Sequence, residues 1–453
     1  MRYILILLAA MLLGMVPATT FAQNDKPNVI FIIADDLGYA DLGCYGQEKI
    51  KTPNIDRLAS EGIRFTQHYS GSPVCAPSRS TLMTGQHTGR TPIRANPRHA
   101  RNWNQKERGD FPLPADVVTW PKMFQRAGYS TGVIGKWGLG RPGTTGGPEK
   151  QGFDYFFGYA DHTPAHEYYP DSMWRNSEQV RLGGKEYSHD LMTQEALQFI
   201  RRQQNKPFML YLPYTIPHVK LQVPSVEPYE NEPWPEPAKK LAAMITRMDG
   251  DIGQIMSLLK EQGIDQNTLV VFTSDNGPWS IRGIPDELFD SNGPLRGFKR
   301  DVYEGGIRVP MIMRWPAKIA AGQQTDHISA NWDFLPTFAE ILAAPAPSDI
   351  DGLSMLPTLL GQPDQQKKHD HLYWEFNELG GQQAARMGDW KVVRRDLAKN
   401  PEAPIQLYNL KDDVGETRDI ASKHPDIVKE IEQRMGIAYV PTDRYPRWSG
   451  GGE

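Results

Sequence analysis

The sequence is poor in cysteine and has no large excess of charge of either sign. Its 453 residues include only two cysteines, Cys44 and Cys75, which allow at most one disulfide, and that only in an oxidising compartment. The 50 basic and 54 acidic residues give a formal net charge of −4 at pH 7. This balance gives no support for nucleic-acid binding, which uses a clustered basic face. We therefore expect no nucleic-acid partner.

Long hydrophobic runs are also scarce. The longest, from Ile4 to Val16, follows the basic start Met1-Arg2-Tyr3 and leads to small residues that end at Ala22. Such a run is too short to span a bilayer comfortably and is typical of a secretory signal, here expected to be cleaved before Gln23. No later segment is apolar enough to cross a membrane. We expect an exported protein, periplasmic or secreted, with no membrane insertion after cleavage.

Apolar runs that predict strands alternate with segments that predict helices. Strands are predicted at 29–34, 131–134, 208–212, 268–273 and 309–314, and helices at 54–62, 120–127 and 241–259. This alternation predicts an α/β fold around a large, mostly parallel central sheet flanked by helices.

The pattern changes near residue 365. Short strands are predicted at 371–376, 384–387, 390–394 and 406–410, followed by a helix at 426–435. This predicts a smaller C-terminal α+β subdomain with an antiparallel sheet. The expected organisation is a signal at 1–22, a catalytic α/β domain at 23–364 and the subdomain at 365–453.

Polar residues follow four of the predicted strands. These are Asp35-Asp36 after the first, Lys136 after the second, His218 a few residues after the third, and Asp275-Asn276 after the fourth. Open α/β sheets bind ligands outside the carboxyl ends of their strands, so we expect these groups to converge. Asp35, Asp36, Asp275 and Asn276 supply only oxygen ligands, and adjacent carboxylates repel unless neutralised. A hard cation, Ca²⁺ or Mg²⁺, is predicted there.

The segment Cys75-Ala76-Pro77-Ser78-Arg79 runs into a stretch compatible with a helix. A thiol at a helix N-terminus is expected to have a lowered pKa, because the backbone N–H groups and the helix dipole favour an anion. Pro77 suits a first helical turn. Arg79 adds a fixed cation whose planar fork suits oxyanions. The pattern predicts a nucleophile beside an anion site.

This pentapeptide resembles the C-x-P-S-R motif of the type I sulfatases, formylglycine-dependent members of the alkaline phosphatase superfamily. The resemblance extends from about residue 27 to 413 and includes the Arg296–Lys299 stretch. It implies oxidation of Cys75 to formylglycine by a maturation enzyme, which would leave Cys44 as a free, buried thiol. It also implies one Ca²⁺, with Mg²⁺ less favoured, held by Asp35, Asp36, Asp275, Asn276 and the modified Cys75.

The resemblance further implies a mechanism for hydrolysis of sulfate esters. Hydrated formylglycine at position 75 attacks sulfur with the help of the metal. Arg79, Lys136 and Lys299 stabilise charge on the transferring group, with Lys299 in contact with the sulfate, and His218 protonates the leaving alcohol. The predicted catalytic set is therefore Cys75, Arg79, Lys136, His218 and Lys299.

One position departs from the family pattern. Many sulfatases have G-K-W-H-L-G after the second strand, with the histidine bonded to the formylglycine, whereas this chain has Gly138 in that place. Either the site lacks that partner, or another histidine fills the space. His166 is the first candidate and His162 the second.

The substrate expected from this class is a sulfated carbohydrate, either a polysaccharide or a glycosaminoglycan-like glycan. Basic and aromatic residues interleave from Arg90 to Trp103, and Arg94, His166 and Lys220 are candidate substrate contacts. Two alternatives remain open. One is a phosphonate or phosphodiester hydrolase of the same superfamily, and the other is an inactive glycan-binding homologue marked by Gly138.

Overall fold

The computed structural model describes residues 26–97, 110–203 and 206–447. The predicted signal segment lies outside the described residues, as do Arg98, His99, Arg101 and Trp103 of the basic segment. None of the described helices is both long and apolar enough to cross a bilayer.

The strands are β1 Asn28–Ala34, β2 Ile63–Phe65, β3 His68–Tyr69, β4 Ser130–Lys136, β5 Tyr155–Tyr159, β6 Ser172–Arg175, β7 Glu178–Arg181, β8 Phe208–Pro213, β9 Thr268–Ser274, β10 Met311–Arg314, β11 Gln323–Thr325, β12 Ser329–Ala330, β13 Leu372–Phe376, β14 Gln382–Met387, β15 Trp390–Arg394 and β16 Gln406–Asn409. The helices are α1 Pro53–Ser60, α2 Cys75–Thr84, α3 Trp120–Arg126, α4 Ser188–Arg202, α5 Glu236–Glu261, α6 Asp286–Phe289, α7 Glu304–Ile307, α8 Phe334–Ile341, α9 Leu356–Leu359 and α10 Pro425–Ala438. Short 3₁₀ turns lie at Gly43–Tyr45, Pro148–Lys150, Pro164–His166, Asp265–Asn267, Asn331–Asp333, Pro363–Gln365 and Ala421–Lys423.

The central sheet has ten strands in the order β11-β2-β10-β9-β1-β8-β4-β5-β6-β7. Its middle, from β9 to β5, is parallel, whereas β10 pairs antiparallel with β9 and β2, and β6 pairs antiparallel with β5 and β7. The predicted fold class is thus confirmed. The edge strands β6 and β7 were not predicted because they are short and largely polar.

Both faces of the central sheet are buried, which explains the uninterrupted apolar run of β1. Ile30 and Ile32 point to one face, where they join the apolar faces of α1, α4 and α5. Phe31 and Ile33 point to the other face and join α2, α3 and α8. The sheet is therefore held rigidly between two helical layers, with its strand ends free to carry a site.

A second sheet, in the order β13-β14-β15-β16, is antiparallel throughout and matches the predicted C-terminal subdomain. Helix α10 packs on one face of this sheet through Ile431 and Met435. The other face packs on the large domain through Trp374 and Trp332. A buried ionic contact spans the same boundary, since Lys391 Nζ lies 2.8 Å from Glu304 Oε1 and 2.9 Å from Glu416 Oε1.

Candidate active site

The polar residues predicted to converge do so at the carboxyl edge of the parallel strands. Ala34 and Ser274 are paired in register at the ends of β1 and β9, so Asp35 and Asp275 follow side by side. The backbone confirms this closeness, because Asp275 N–H donates to Ala34 O at 3.1 Å. Lys136 is the last residue of β4, and the chain after β8 brings His218 to the same edge.

Cys75 is the first residue of helix α2, after an extended Val74. Its thiol donates to Asp35 Oδ1 at 3.4 Å and accepts from Lys299 Nζ at 3.4 Å. The residue is only 4% exposed. Position 75 therefore lies between a carboxylate of the first strand end and a lysine from a distant loop.

The thiol of Cys75 does not have the lowered pKa expected from its place in the helix. Burial raises its pKa, and the nearby charge of Asp35 raises it further, while Lys136 and Lys299 oppose the rise only in part. The prediction of an activated thiolate is therefore wrong. Burial and carboxylates brought in from other elements outweigh the helix N-terminus, so the unmodified thiol stays protonated.

Asp35 is fully buried and held by cations. Its Oδ2 lies 2.6 Å from Lys136 Nζ and 3.9 Å from Arg79 Nη2. Burial alone would raise the pKa of Asp35, but Lys136, His218, Arg79 and Lys299 together hold that pKa well below its usual range. Asp35 is thus ionised at any physiological pH.

Asp36 is bound by Lys299 and Asn276. Lys299 Nζ lies 2.6 Å from its Oδ1, and Asn276 Nδ2 donates to the same oxygen at 2.7 Å. Its backbone has a φ of 67°, in the left-handed region that few residues other than glycine adopt. Burial raises the pKa of Asp36, partly offset by Lys299 and reinforced by the adjacent charge of Asp35.

Asp275 is bound by Arg79. The guanidinium donates to Asp275 Oδ2 from Nε at 3.2 Å and from Nη2 at 2.8 Å, and its Nη1 donates to Lys136 O at 2.7 Å. Burial raises the pKa of Asp275 to about 6, and the charge of Asp35 adds to that effect. Arg79 therefore links helix α2 to the carboxyl ends of β4 and β9.

The donor set can hold a metal ion, and its oxygen atoms are of the kind that suits a hard cation. One ligand atom from each of Asp35, Asp36, Cys75 and His218 lies within 4.8 Å of the others. Asn276 Oδ1 is buried beside them without a hydrogen-bond partner among the described residues. A buried acceptor without a donor is costly, and a cation among these oxygens would satisfy it while separating the charges of Asp35 and Asp36.

His218 faces this cluster, with its Nε2 3.4 Å from Asp36 Oδ2. Its Nδ1 is bonded to Val219 O, which fixes the ring orientation. The ring of His166 stacks on that of His218, with centroids 3.8 Å apart and an interplanar angle of 11°. Burial and Lys299 hold the pKa of His218 well below its usual range. Without a bound anion, the imidazole is neutral.

The ring of His162, not that of His166, fills the space next to Gly138. A Cβ added at Gly138 would lie 2.2 Å from His162 Cε1. Asp110 Oδ2 accepts from the backbone N–H of His162 at 2.7 Å and lies 2.5 Å from its Nδ1. His162 Nε2 is buried without a partner among the described residues. His162 therefore covers Gly138, whereas His166 packs on His218.

Three further residues named from the sequence have contacts outside the cluster around Cys75. Arg94 is buried, donates to Thr91 O at 3.0 Å and to Val440 O at 2.6 Å, and so supports the C-terminal segment. Lys220 is exposed and pairs with Glu167 at 2.6 Å. Cys44 is a free thiol as expected, but half-buried rather than buried. The described contacts do not join any of these side chains to Cys75.

Comparisons with known proteins agree with this geometry. Residues 27–344 match the sulfatase family, and residues 297–438 match the C-terminal family of N-sulphoglucosamine sulphohydrolase. The chain is 31% identical to an N-acetylgalactosamine-6-O-sulfatase of Bacteroides thetaiotaomicron, across 91% of this chain and 93% of the relative. This chain belongs to the sulfatase family. It is a sulfuric ester hydrolase of the alkaline phosphatase superfamily.

Other relatives of this sulfatase include human steryl-sulfatase, 32% identical across 78% of this chain and 72% of the relative. Among solved structures, Ps i-CgsB in complex with a neocarrahexaose is similar with a TM-score of 0.80 and 30% identity, covering 94% of this chain and 96% of that chain. A phosphonate monoester hydrolase of Agrobacterium radiobacter shares the fold, with a TM-score of 0.65 and 20% identity.

The sulfatase site also depends on residues outside the predicted catalytic and metal-binding set. Ser274 Oγ accepts from Leu37 N–H at 3.0 Å and donates to Asn276 O at 2.9 Å, joining the two loops that carry the carboxylates. Tyr168 OH donates to His218 O at 2.6 Å and is buried, so it supports the backbone of the His218 loop.

Proposed function

We propose that this protein is an exported sulfatase that acts on sulfated glycans, with formylglycine at position 75 and Ca²⁺ as its cofactor. One observation carries the proposal: the side chain of residue 75 is buried between Asp35 Oδ1 and Lys299 Nζ, each 3.4 Å from Sγ. An unmodified thiol there is protonated and shielded, so it is poorly suited to act as the nucleophile itself.

The cations around position 75 fit an ester that bears one negative charge. Lys136 and Arg79 are fully buried and the side chain of Lys299 is only 6% exposed. Each of the three also contacts a carboxylate that holds it in place. Preorganised cations in a site closed to water stabilise charge that develops on transfer, and need no reorganisation during the reaction. These three residues would bind and orient the sulfate group.

His218 is the group best placed to return a proton to the leaving oxygen. Its Nδ1 is engaged by Val219 O, so Nε2 is the nitrogen turned to the site. The imidazole is neutral in the absence of an anion, and a bound sulfate ester would favour its protonated form. His218 would then donate the Nε2 proton as the alcohol departs.

Two groups complete this proposal. Asp35, Asp36, Asp275 and Asn276 would hold Ca²⁺, which supplies Lewis-acid stabilisation of negative charge when bound. Formylglycine, made from Cys75 by a maturation enzyme, supplies the oxygen nucleophile. His162 and Asp110 would provide an imidazole beside Gly138, in the space where the family pattern has a histidine side chain.

The relatives support a glycan as substrate. The Bacteroides thetaiotaomicron relative is an N-acetylgalactosamine-6-O-sulfatase, and Ps i-CgsB was solved with an oligosaccharide. Both match more than nine-tenths of this chain. Export is supported by the basic start and the apolar run from Ile4 to Val16, which make a secretory signal.

A substrate panel tests the proposed function. Protein made together with a maturation enzyme is supplied with Ca²⁺ and offered 4-nitrophenyl sulfate, 6-sulfated N-acetylgalactosamine, a 4-nitrophenyl phosphodiester and a phosphonate monoester. We expect kcat/KM for the sulfate esters to exceed that for the phosphorus esters by at least 100-fold, and Cys75→Ala to release no sulfate. A preference for the phosphorus esters, or full activity of Cys75→Ala, would refute the proposal.

A further inference from the structure

A cavity of about 130 Å³ lies beside the candidate site, and nothing so far accounts for it. A single water needs only about 10–15 Å³ of such space, so the cavity can admit a larger group. We propose that this cavity is a subsite for an uncharged sugar joined to the sulfated one. The inference rests on the proposed function and adds a rule about which neighbouring sugar the enzyme accepts.

The cavity is built onto the loop that carries the sulfate-binding lysine. Trp279 and Phe298 both line it, and they adjoin the segments of Asn276 and Lys299 in the chain. The two segments are bonded to each other, because Lys299 N–H donates to Pro278 O at 2.8 Å. Trp279 is therefore fixed relative to the reacting group.

Trp279 also lies close enough to position 75 to contact a sugar whose sulfate is bound there. Lys299 Nζ lies 5.7 Å from the centroid of its ring and 3.4 Å from Cys75 Sγ. These two separations share the ammonium nitrogen, so the indole lies within reach of a saccharide whose sulfate sits at position 75. Trp279 is 38% exposed, which is unusual for so large an apolar side chain and leaves ring surface for a ligand.

Four residues that line the cavity carry hydrogen-bond acceptors, beside Ser291, which can also donate. Asp286, Glu287 and Asp290 contribute exposed carboxylates, and no described residue that lines it is cationic. Asn292 also lines it and is only 6% exposed. Its Nδ2 donates to Gly297 O, but its Oδ1 is buried without a partner among the described residues. A sugar hydroxyl would supply the missing donor once the Asn292 side chain turns towards the cavity.

The cations near Trp279 do not line the cavity. Lys299 and Arg300 both lie 5.7 Å from its ring centroid, and neither is among the lining residues. The cavity itself offers acceptors to hydroxyl groups, and its carboxylates repel a second sulfate or a uronate. The adjoining sugar that fits is one with hydroxyl groups and no charge.

Equilibrium binding tests this rule without depending on turnover. The protein is Ca²⁺-loaded Cys75→Ala, and the probes are two disaccharides of 6-sulfated N-acetylgalactosamine, one linked to galactose and the other to glucuronate through the same bond. Titration calorimetry should show the galactose form binding at least tenfold more tightly. Adding Trp279→Ala or Asn292→Ala should weaken that form at least fivefold and reduce the preference, whereas Ile437→Ala, an exposed apolar residue on α10, should change neither value.

Equal affinities, tighter binding of the glucuronate form, or no binding of either probe would overturn the subsite. So would Trp279→Ala and Asn292→Ala proteins that retain both affinities. Failure of the proposed function would be distinguishable, because it would appear as absence of sulfate release from every ester by the maturated wild-type protein, whatever the outcome of the titrations.

Discussion

The contact between Gly138 and His162 makes a quantitative prediction about stability. Gly138 has a φ of 71°, and a Cβ placed there would lie 2.2 Å from His162 Cε1 and 2.7 Å from its Nδ1. The left-handed backbone costs a residue with a Cβ about 1–2 kcal/mol, and an overpacked side chain costs about 1–3 kcal/mol more. Gly138→Ala should therefore lower the free energy of unfolding by about 2–5 kcal/mol.

The chain supplies a matched control for the backbone cost. Gly128 has a similar φ of 85°, but a Cβ there would meet nothing within 4 Å. Gly128→Ala should thus cost only the backbone part, about 1–2 kcal/mol. In a His162→Ala background the steric part of the Gly138→Ala cost should vanish, which gives a coupling energy of about 1–3 kcal/mol between the two positions.

Urea unfolding of the four proteins of this cycle, with Gly128→Ala as the fifth, measures these differences. Gly138→Ala should lose clearly more stability than Gly128→Ala, and the loss should shrink when His162 is truncated. Equal losses at the two glycines, or a cycle without coupling, would refute the placement of His162 over Gly138.

Two more predictions concern charge. Burial opposes ionisation of Glu304, but the charges of Lys391 and Arg308 outweigh burial and lower the pKa of Glu304 to about 2. A depressed carboxyl pKa stabilises the folded protein above about pH 4.5, and this stability is lost as the pH falls towards 2. Glu304→Gln should therefore lower the free energy of unfolding by about 3 kcal/mol near pH 7 and by much less near pH 3. Burial raises the pKa of Glu416 to about 7, so Glu416→Gln should be best tolerated above pH 7. Equal pH profiles of unfolding free energy for the two variants would contradict this. Ca²⁺ at 100 times its Kd should stabilise the protein by about 2.7 kcal/mol. The rise in Tm should be reversed by a chelator and should be smaller in Asp36→Asn. A Tm that changes with neither Ca²⁺ nor chelator would argue against the metal site.

The convergence of the strand ends could be predicted from sequence because it follows from topology. Parallel strands present their carboxyl ends at one edge, and the polar residues after β1 and β9 directly follow long apolar runs that identify those strands, while Lys136 ends β4. Helix α4 was missed although Met192, Ala196 and Phe199 have helical spacing and are buried. That signal was present in the sequence and was not used.

Other features depend on groups far apart in the chain. The thiol pKa of Cys75 follows from burial and from Asp35, neither of which the local helix pattern reveals. His162 and His166 are four residues apart, and the contact of His162 with Asp110, which lies 52 positions earlier in the chain, is not visible in the local pattern. Arg94 looked like a substrate contact because basic residues surround it, but Val440, near the other end of the chain, uses its guanidinium.

The role of formylglycine at position 75 is tested most directly by comparing sulfate release with the chemical state of that residue. Preparations of the wild-type protein with different extents of conversion are analysed by intact mass of the peptide that contains position 75, and each is assayed with the same sulfate ester under saturating Ca²⁺. If formylglycine is the nucleophile, the rate is proportional to its fraction and extrapolates to zero for the pure thiol. Equal rates from converted and unconverted protein would contradict it.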